Sequence, residues 1–167
     1  MKKITTLVFL LIILFSFGNA SADGGGHKEI LPDETIIGIS LVSSIITYFF
    51  IAKISGHELS NQERLISSLI VFTTIVHAIL GTEDLKLLLG AVGFLGFGCF
   101  LYILKLPLIE ENKTNFRYLL AAYTFAIIIF YIYLHPDLTK NGEYDILGLV
   151  TKLSEIGIIG LVIKRDD

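Results

Sequence analysis

The chain has 167 residues, of which 53% are hydrophobic and 17% charged, against about 25% charged in a usual soluble domain. Its mean hydropathy is +0.74. The net charge of -3 and the absence of a basic cluster exclude a nucleic-acid binder, and a single cysteine, Cys99, excludes a disulfide within the chain.

The apolar residues come in long runs rather than stripes, which predicts membrane helices. Met1 to Ala22 reads as a cleavable signal peptide. Lys2 and Lys3 form its basic region, residues 7–17 its apolar region, and Ala20-Ser21-Ala22 its cleavage site. An uncleaved segment would instead be a sixth span. Residues 23–35, rich in glycine and carrying His27, read as a flexible exterior tail.

The first span is expected at 36–54, with Asp33 as N-cap. A polar loop, residues 55–64, leads to a second span at 65–80. Gly81-Thr82-Glu83-Asp84 then forms a tight turn in which Thr82 caps the next helix. The third span, 85–104, carries Gly90, Gly93, Gly96 and Gly98, a small-residue face of the kind that lets helices approach in lipid. Pro107 marks its end. After a charged loop, Asn115 is expected to cap the fourth span, 116–134, which finishes in Tyr131, Tyr133, His135 and Pro136 and suits an interfacial belt. A polar turn, residues 137–144, precedes the fifth span at 145–163.

The expected fold is therefore an all-α membrane protein: five transmembrane helices, residues 36–167, after a signal peptide. The signal peptide places the mature N-terminus outside. Lys53, Arg64, Lys105, Lys113, Arg117, Lys164 and Arg165 then fall inside, and only Lys28, Lys86 and Lys140 outside. This is the positive-inside pattern of a multi-pass protein of the cytoplasmic membrane with its C-terminus inside. The Asn112-Lys113-Thr114 sequon lies on the inner side and is discounted.

Lys152 and Glu155 are the chemically informative residues. Each ionisable group at mid-membrane costs roughly 2.5–3.5 kcal/mol on insertion scales. Three residues apart on one helix, they share a face and can neutralise one another. They read either as a structural pair setting helix register or as a proton, ion or ligand site. His77, Asp145 and Lys86 fall in the same outer half and could line a polar cleft with them. A second set at the outer face is His77, His135, Glu83, Asp84 and Asp137, suited in type to copper, zinc or iron. It lacks any HxxxH, HExxH or cysteine cluster. Haem would require His77 and His135 at matched depth, and His135 precedes a proline at the interface. No P-loop, nucleophile elbow or dinucleotide fingerprint is present.

His77-Ala78-Ile79-Leu80-Gly81, Gly93-Phe94-Leu95-Gly96 and the Lys152/Glu155 pair resemble segments of small uncharacterised archaeal polytopic membrane proteins. The isoleucine- and lysine-leaning composition with a signal peptide also looks like proteins of ammonia-oxidising archaea, whose membrane ammonia monooxygenase contains small helical accessory subunits. The soluble parts are too small to hold an active site, the polar residues are few and the glycines of the third span offer a packing surface. The chain therefore reads as a non-catalytic or accessory subunit of a larger membrane complex, with the lipid bilayer and other membrane subunits, or further copies of the chain, as partners. The resemblance implies that the complex could be of the archaeal ammonia monooxygenase type. The alternatives are a small transporter or proton-coupled carrier using Lys152 and Glu155, and a metal-binding membrane enzyme using His77 and His135.

Overall fold

The computed structural model describes residues 31–104, 106–134, 139–140 and 143–164. The expected signal peptide, the tail before residue 31 and His27 lie outside the described residues. The long helices are α1 (Asp33–Ser55), α2 (Asn61–Leu80), α3 (Leu85–Gly98, extended by a π turn over Cys99–Ile103), α5 (Lys113–Leu134) and α6 (Ile146–Ile163). The short α4 (Pro107–Glu111) separates α3 from α5. Strands β1 (Thr139–Lys140) and β2 (Glu143–Tyr144) pair antiparallel between α5 and α6, Thr139 opposite Tyr144 and Lys140 opposite Glu143.

Among the described residues five helices, counting α3 with its π turn, are long and apolar enough to cross a membrane, at 18 to 23 residues each. A hydrocarbon core needs about 20 residues of helix. This is the architecture of a multi-pass membrane protein. Short connections make successive helices antiparallel, so the bundle has two ends. One, here the hairpin end, carries the α2–α3 turn and the β-hairpin. The other carries the α1–α2 loop and α4.

Helix α2 is the centre of the bundle. Half of its span is buried, the largest share of the five, and it packs against α1, α3 and α6. The main apolar core joins Ile66 and Ile70 of α2 to Phe94, Leu101, Tyr102, Leu120, Ile158 and Val162. A smaller cluster of Ile36, Phe72, Val76 and Leu147 sits toward the hairpin end. Helix α1 has the inverse pattern of a soluble helix. Ser40, Ser44 and Ser55 face inward beside Ile36 and Ile51, while Val42, Ile46 and Phe49 are exposed. In lipid there is no hydrophobic drive between helices, so small hydroxyl residues make the interface and apolar ones face the acyl chains.

The helix ends depart from expectation in local ways. Helix α1 begins three residues before the expected Ile36, with Pro32 at its N-cap and no side-chain cap, so Asp33 is the first helical residue and favours the helix dipole instead. Its C-cap, Gly56, adopts φ 71°, which a side chain would strain. Helix α2 begins at Asn61, four residues earlier than expected. Ser60 and Glu63 form a reciprocal capping box there, with Ser60 N–H to Glu63 Oε2 at 3.0 Å and Glu63 N–H to Ser60 Oγ at 3.2 Å. Asp84, not Thr82, caps α3, accepting from the Lys86 N–H at 2.9 Å; Thr82 donates back to the Ile79 carbonyl at 2.8 Å. Asn115 lies inside α5, which starts at Lys113, and Pro107 opens α4 rather than merely closing α3. The π turn was not expected. The Leu104 N–H reaches the Cys99 carbonyl at 2.8 Å, five residues back.

The glycines of α3 do not make one face. Gly90 lies against the His77 ring, Gly98 against Ile70, and Gly96 faces open space. A Cβ on Gly93 would run into the Tyr123 hydroxyl. Each step of three residues turns a helix by about 300°, so a period of three drifts around the axis.

Candidate functional site: a cleft ending on a buried ion pair

Lys152 and Glu155 project from one face of α6 toward α2. The Lys152 Nζ donates to Glu155 Oε1 at 2.8 Å and to Oε2 at 2.6 Å. Glu155 is fully buried and Lys152 nearly so. The i, i+3 spacing alone allows this geometry, and α2 completes it. Thr73 Oγ1 donates to Glu155 Oε1 at 3.4 Å, and His77 places Nε2 3.7 Å from the same oxygen. Thr73 and His77 are four apart on α2, hence on one face.

The His77 ring is fixed from its other side. Nδ1 lies 2.9 Å from the Thr73 carbonyl oxygen. A carbonyl only accepts, so Nδ1 is the donor. A neutral ring then turns an unprotonated Nε2 toward a carboxylate oxygen, which is also an acceptor. The contact becomes favourable when one proton is carried on Nε2 or on Glu155. Phe94 packs on the ring with centroids 5.8 Å apart, and Tyr123 packs on Phe94 at 5.2 Å, so the site abuts the main core.

Toward the hairpin end, α5 contributes Tyr131. Its ring lies 5.1 Å from Lys152 Nζ, and its hydroxyl donates to Asp145 Oδ2 at 2.8 Å. Asp145 is the N-cap of α6, accepting from the Gly148 N–H at 2.7 Å through Oδ1. Position 148 must be glycine for this contact: a Cβ there would collide with both the Asp145 carboxylate and the Tyr131 hydroxyl.

His77, Lys152, Tyr131, Asp145 and Gly148 line a cleft of about 480 Å³ between α3, α5, α2 and α6, with Glu155 and Thr73 behind its floor. Val76, Leu80, Leu89, Ile127, Phe130 and Leu147 make most of its walls; Asp84 and Lys86 stand at its mouth and His77 and Lys152 at its floor. Its size falls within the roughly 300–1,000 Å³ of small-molecule sites, and a mostly apolar wall with a few convergent polar groups is their usual make-up.

Of the residues singled out in the sequence, the fold brings together Lys152, Glu155 and His77, and sets Asp145 and Lys86 in the same cleft with Lys152 and His77. Asp84 serves as a helix cap, and Glu83 lies in the α2–α3 turn. His135 and Asp137 lie outside the described residues. Among the described residues, no group of three or more His, Cys, Asp or Glu side chains comes close enough to hold a metal ion. Thr73, Tyr131 and Gly148 were not anticipated. The signal for Thr73 was its spacing of four from His77. Tyr131 was read with Tyr133 as part of an interfacial belt. Two residues apart on a helix they point about 200° apart, and only Tyr133 is largely exposed. Compared with family models, curated proteins and solved structures, the chain matches none.

Proposed function

We propose that this is a small-molecule-binding protein of the cytoplasmic membrane, with the cleft facing outward and Lys152, Glu155 and His77 forming a recognition group that exchanges a proton when the cleft is filled. The observation that carries this reading is the 480 Å³ cleft terminating on a buried ion pair. Ionisable groups within a membrane-spanning bundle mark pathways and binding sites by default. The proton-coupled carrier suggested by the sequence is the transporting form of the same reading. The positive-inside distribution supports an outward-facing hairpin end.

Extraction in mild detergent followed by native mass spectrometry tests it. The expected result is the full chain carrying a small-molecule adduct that is lost in the Lys152→Met, Glu155→Gln double variant while the protein stays monodisperse. An adduct that persists in the double variant would remove the ion pair from recognition. No adduct, with a stoichiometric set of enzyme subunits co-purifying, would favour the accessory-subunit reading, including a subunit of an archaeal ammonia monooxygenase-type complex.

A further inference from the structure

The cleft opens sideways as well as at the hairpin end. Leu89 of α3 and Phe130 of α5 both line it, yet they are 62% and 48% exposed. In a membrane-spanning bundle such exposure is to acyl chains. Helices α3 and α5 meet where the Tyr123 hydroxyl donates to the Gly90 carbonyl at 3.0 Å. From Tyr123 to Leu134 the α5 wall runs on for about 16 Å at 1.5 Å per residue, bordered by apolar side chains. The cleft is therefore continuous with the hydrocarbon layer along one side.

At the floor Lys152 and Glu155 neutralise one another, while Asp145 is held by the Tyr131 hydroxyl and the Gly148 N–H. A head with a net charge set against that neutral pair would find no free counter-charge in an apolar slot, which is unfavourable. An ammonium has three N–H groups; Glu155 takes two, and for the third the Tyr131 ring lies 5.1 Å from Nζ, with no oxygen acceptor among the described residues.

On the reading of the cleft as a ligand site, we infer that its occupant is a bilayer-resident amphiphile with a single neutral oxygen head, a hydroxyl or carbonyl, which accepts from Lys152 while its chain leaves between α3 and α5. The chain reaches the site through the membrane and not through water. Gly90 and Tyr123 form the lower limit of the portal, and Leu89 and Phe130 its two jambs.

The test is photolabelling of the full chain in phosphatidylcholine nanodiscs. Two probes are used: hexadecanol carrying a diazirine next to its hydroxyl-bearing end, and a water-soluble butanol-length diazirine alcohol. Labelled positions are mapped by mass spectrometry. The expected result is labelling of the cleft residues Val76, Leu147 and Thr151 by the long probe, well above that of lipid-facing Leu153. Leu89→Trp should cut this labelling about tenfold while labelling of Leu153 is unchanged. Phe130→Trp is the second plug, and gel filtration reports whether either variant has lost its fold. Cleft labelling by the short alcohol alone would overturn the membrane route and the amphiphile while leaving the ligand site standing. Long-probe labelling no stronger in the cleft than at Leu153, or unchanged in both folded plug variants, would also overturn it. Labelling of the cleft by neither probe would remove the ligand site itself.

Discussion

At one end of the bundle Lys113 meets Glu63, 2.7 Å apart and partly buried; toward the other, Lys152 meets Glu155, 2.6 Å apart and enclosed. The two pairs have the same chemistry and nearly the same length, and they do different things. The first joins the N-terminus of α5 to that of α2, where the capping box already holds Glu63 in place. Gln62 beside it donates to the Leu161 carbonyl and to the Lys164 carbonyl at 2.7 Å, closing the end of α6. These contacts all satisfy helix termini. At the hairpin end the polar groups are aimed at one another across three helices, and a cleft leads to them. Burial and an approach path, not the ion pair as such, separate a site from a fastening.

The comparison is broken most forcefully by removing one partner of the buried pair. Glu155→Leu leaves the Lys152 ammonium without its two acceptors in an apolar interior, and should destabilise the protein by about 3–5 kcal/mol. Thermal unfolding in nanodiscs would show it as a large fall in midpoint. The Lys152→Met, Glu155→Gln double variant should recover most of that loss, because no charge is then stranded. A double variant as unstable as Glu155→Leu would mean that the pair's own attraction, and not the stranded charge, dominates.

Next in size is the contact that sets the wall of the cleft. Gly148→Ala pushes a Cβ into the Asp145 carboxylate and the Tyr131 hydroxyl, and loss of a buried hydrogen bond to a charged group costs about 1.5–3 kcal/mol. Gly96→Ala is its control on α3. Nothing lies within 4 Å of the added methyl, so it should be neutral or stabilising by up to about 1 kcal/mol through helix propensity. Equal losses in both would mean that glycine matters here for packing in general and not for the Tyr131–Asp145 contact.

These two glycines also show what the sequence could and could not convey. The five spans were legible because membrane helices are set by the length of an apolar run, and Lys152 with Glu155 was legible because i, i+3 neighbours share a face whatever surrounds them. Contacts between helices were another matter. They depend on how each helix is rotated about its axis, and an all-round apolar sequence carries little record of that rotation. Thus Tyr131 was grouped with Tyr133, although one turns inward and the other outward, and four glycines at near-regular spacing suggested one face when they serve several. Caps failed for a smaller reason. Thr82 and Asp84 are both good capping residues two positions apart, and backbone geometry chose Asp84.

At the fastening end the effects shrink. Ser60→Ala removes the acceptor for the Glu63 N–H and half of the capping box, and should cost about 1 kcal/mol. It should leave cleft labelling unchanged, since Ser60 lies at the opposite end of α2 from His77.

The smallest expected effect is also the cleanest test of the contrast. Lys113→Met breaks an ion pair as short as the buried one, but Lys113 and Glu63 are 29% and 14% exposed at their side chains. Pairs in that setting are worth roughly 0.2–1 kcal/mol, because water and salt screen them and two long side chains must be held still. Glu63 also keeps its Ser60 partner when Lys113 is gone. The loss should therefore be under about 1 kcal/mol and should shrink further between low and physiological salt. The effect of Glu155→Leu should depend less on salt than that of Lys113→Met, since the buried site is screened less. A salt-independent loss of several kcal/mol at Lys113 would mean that this end is as dry as the other, and that burial does not distinguish them.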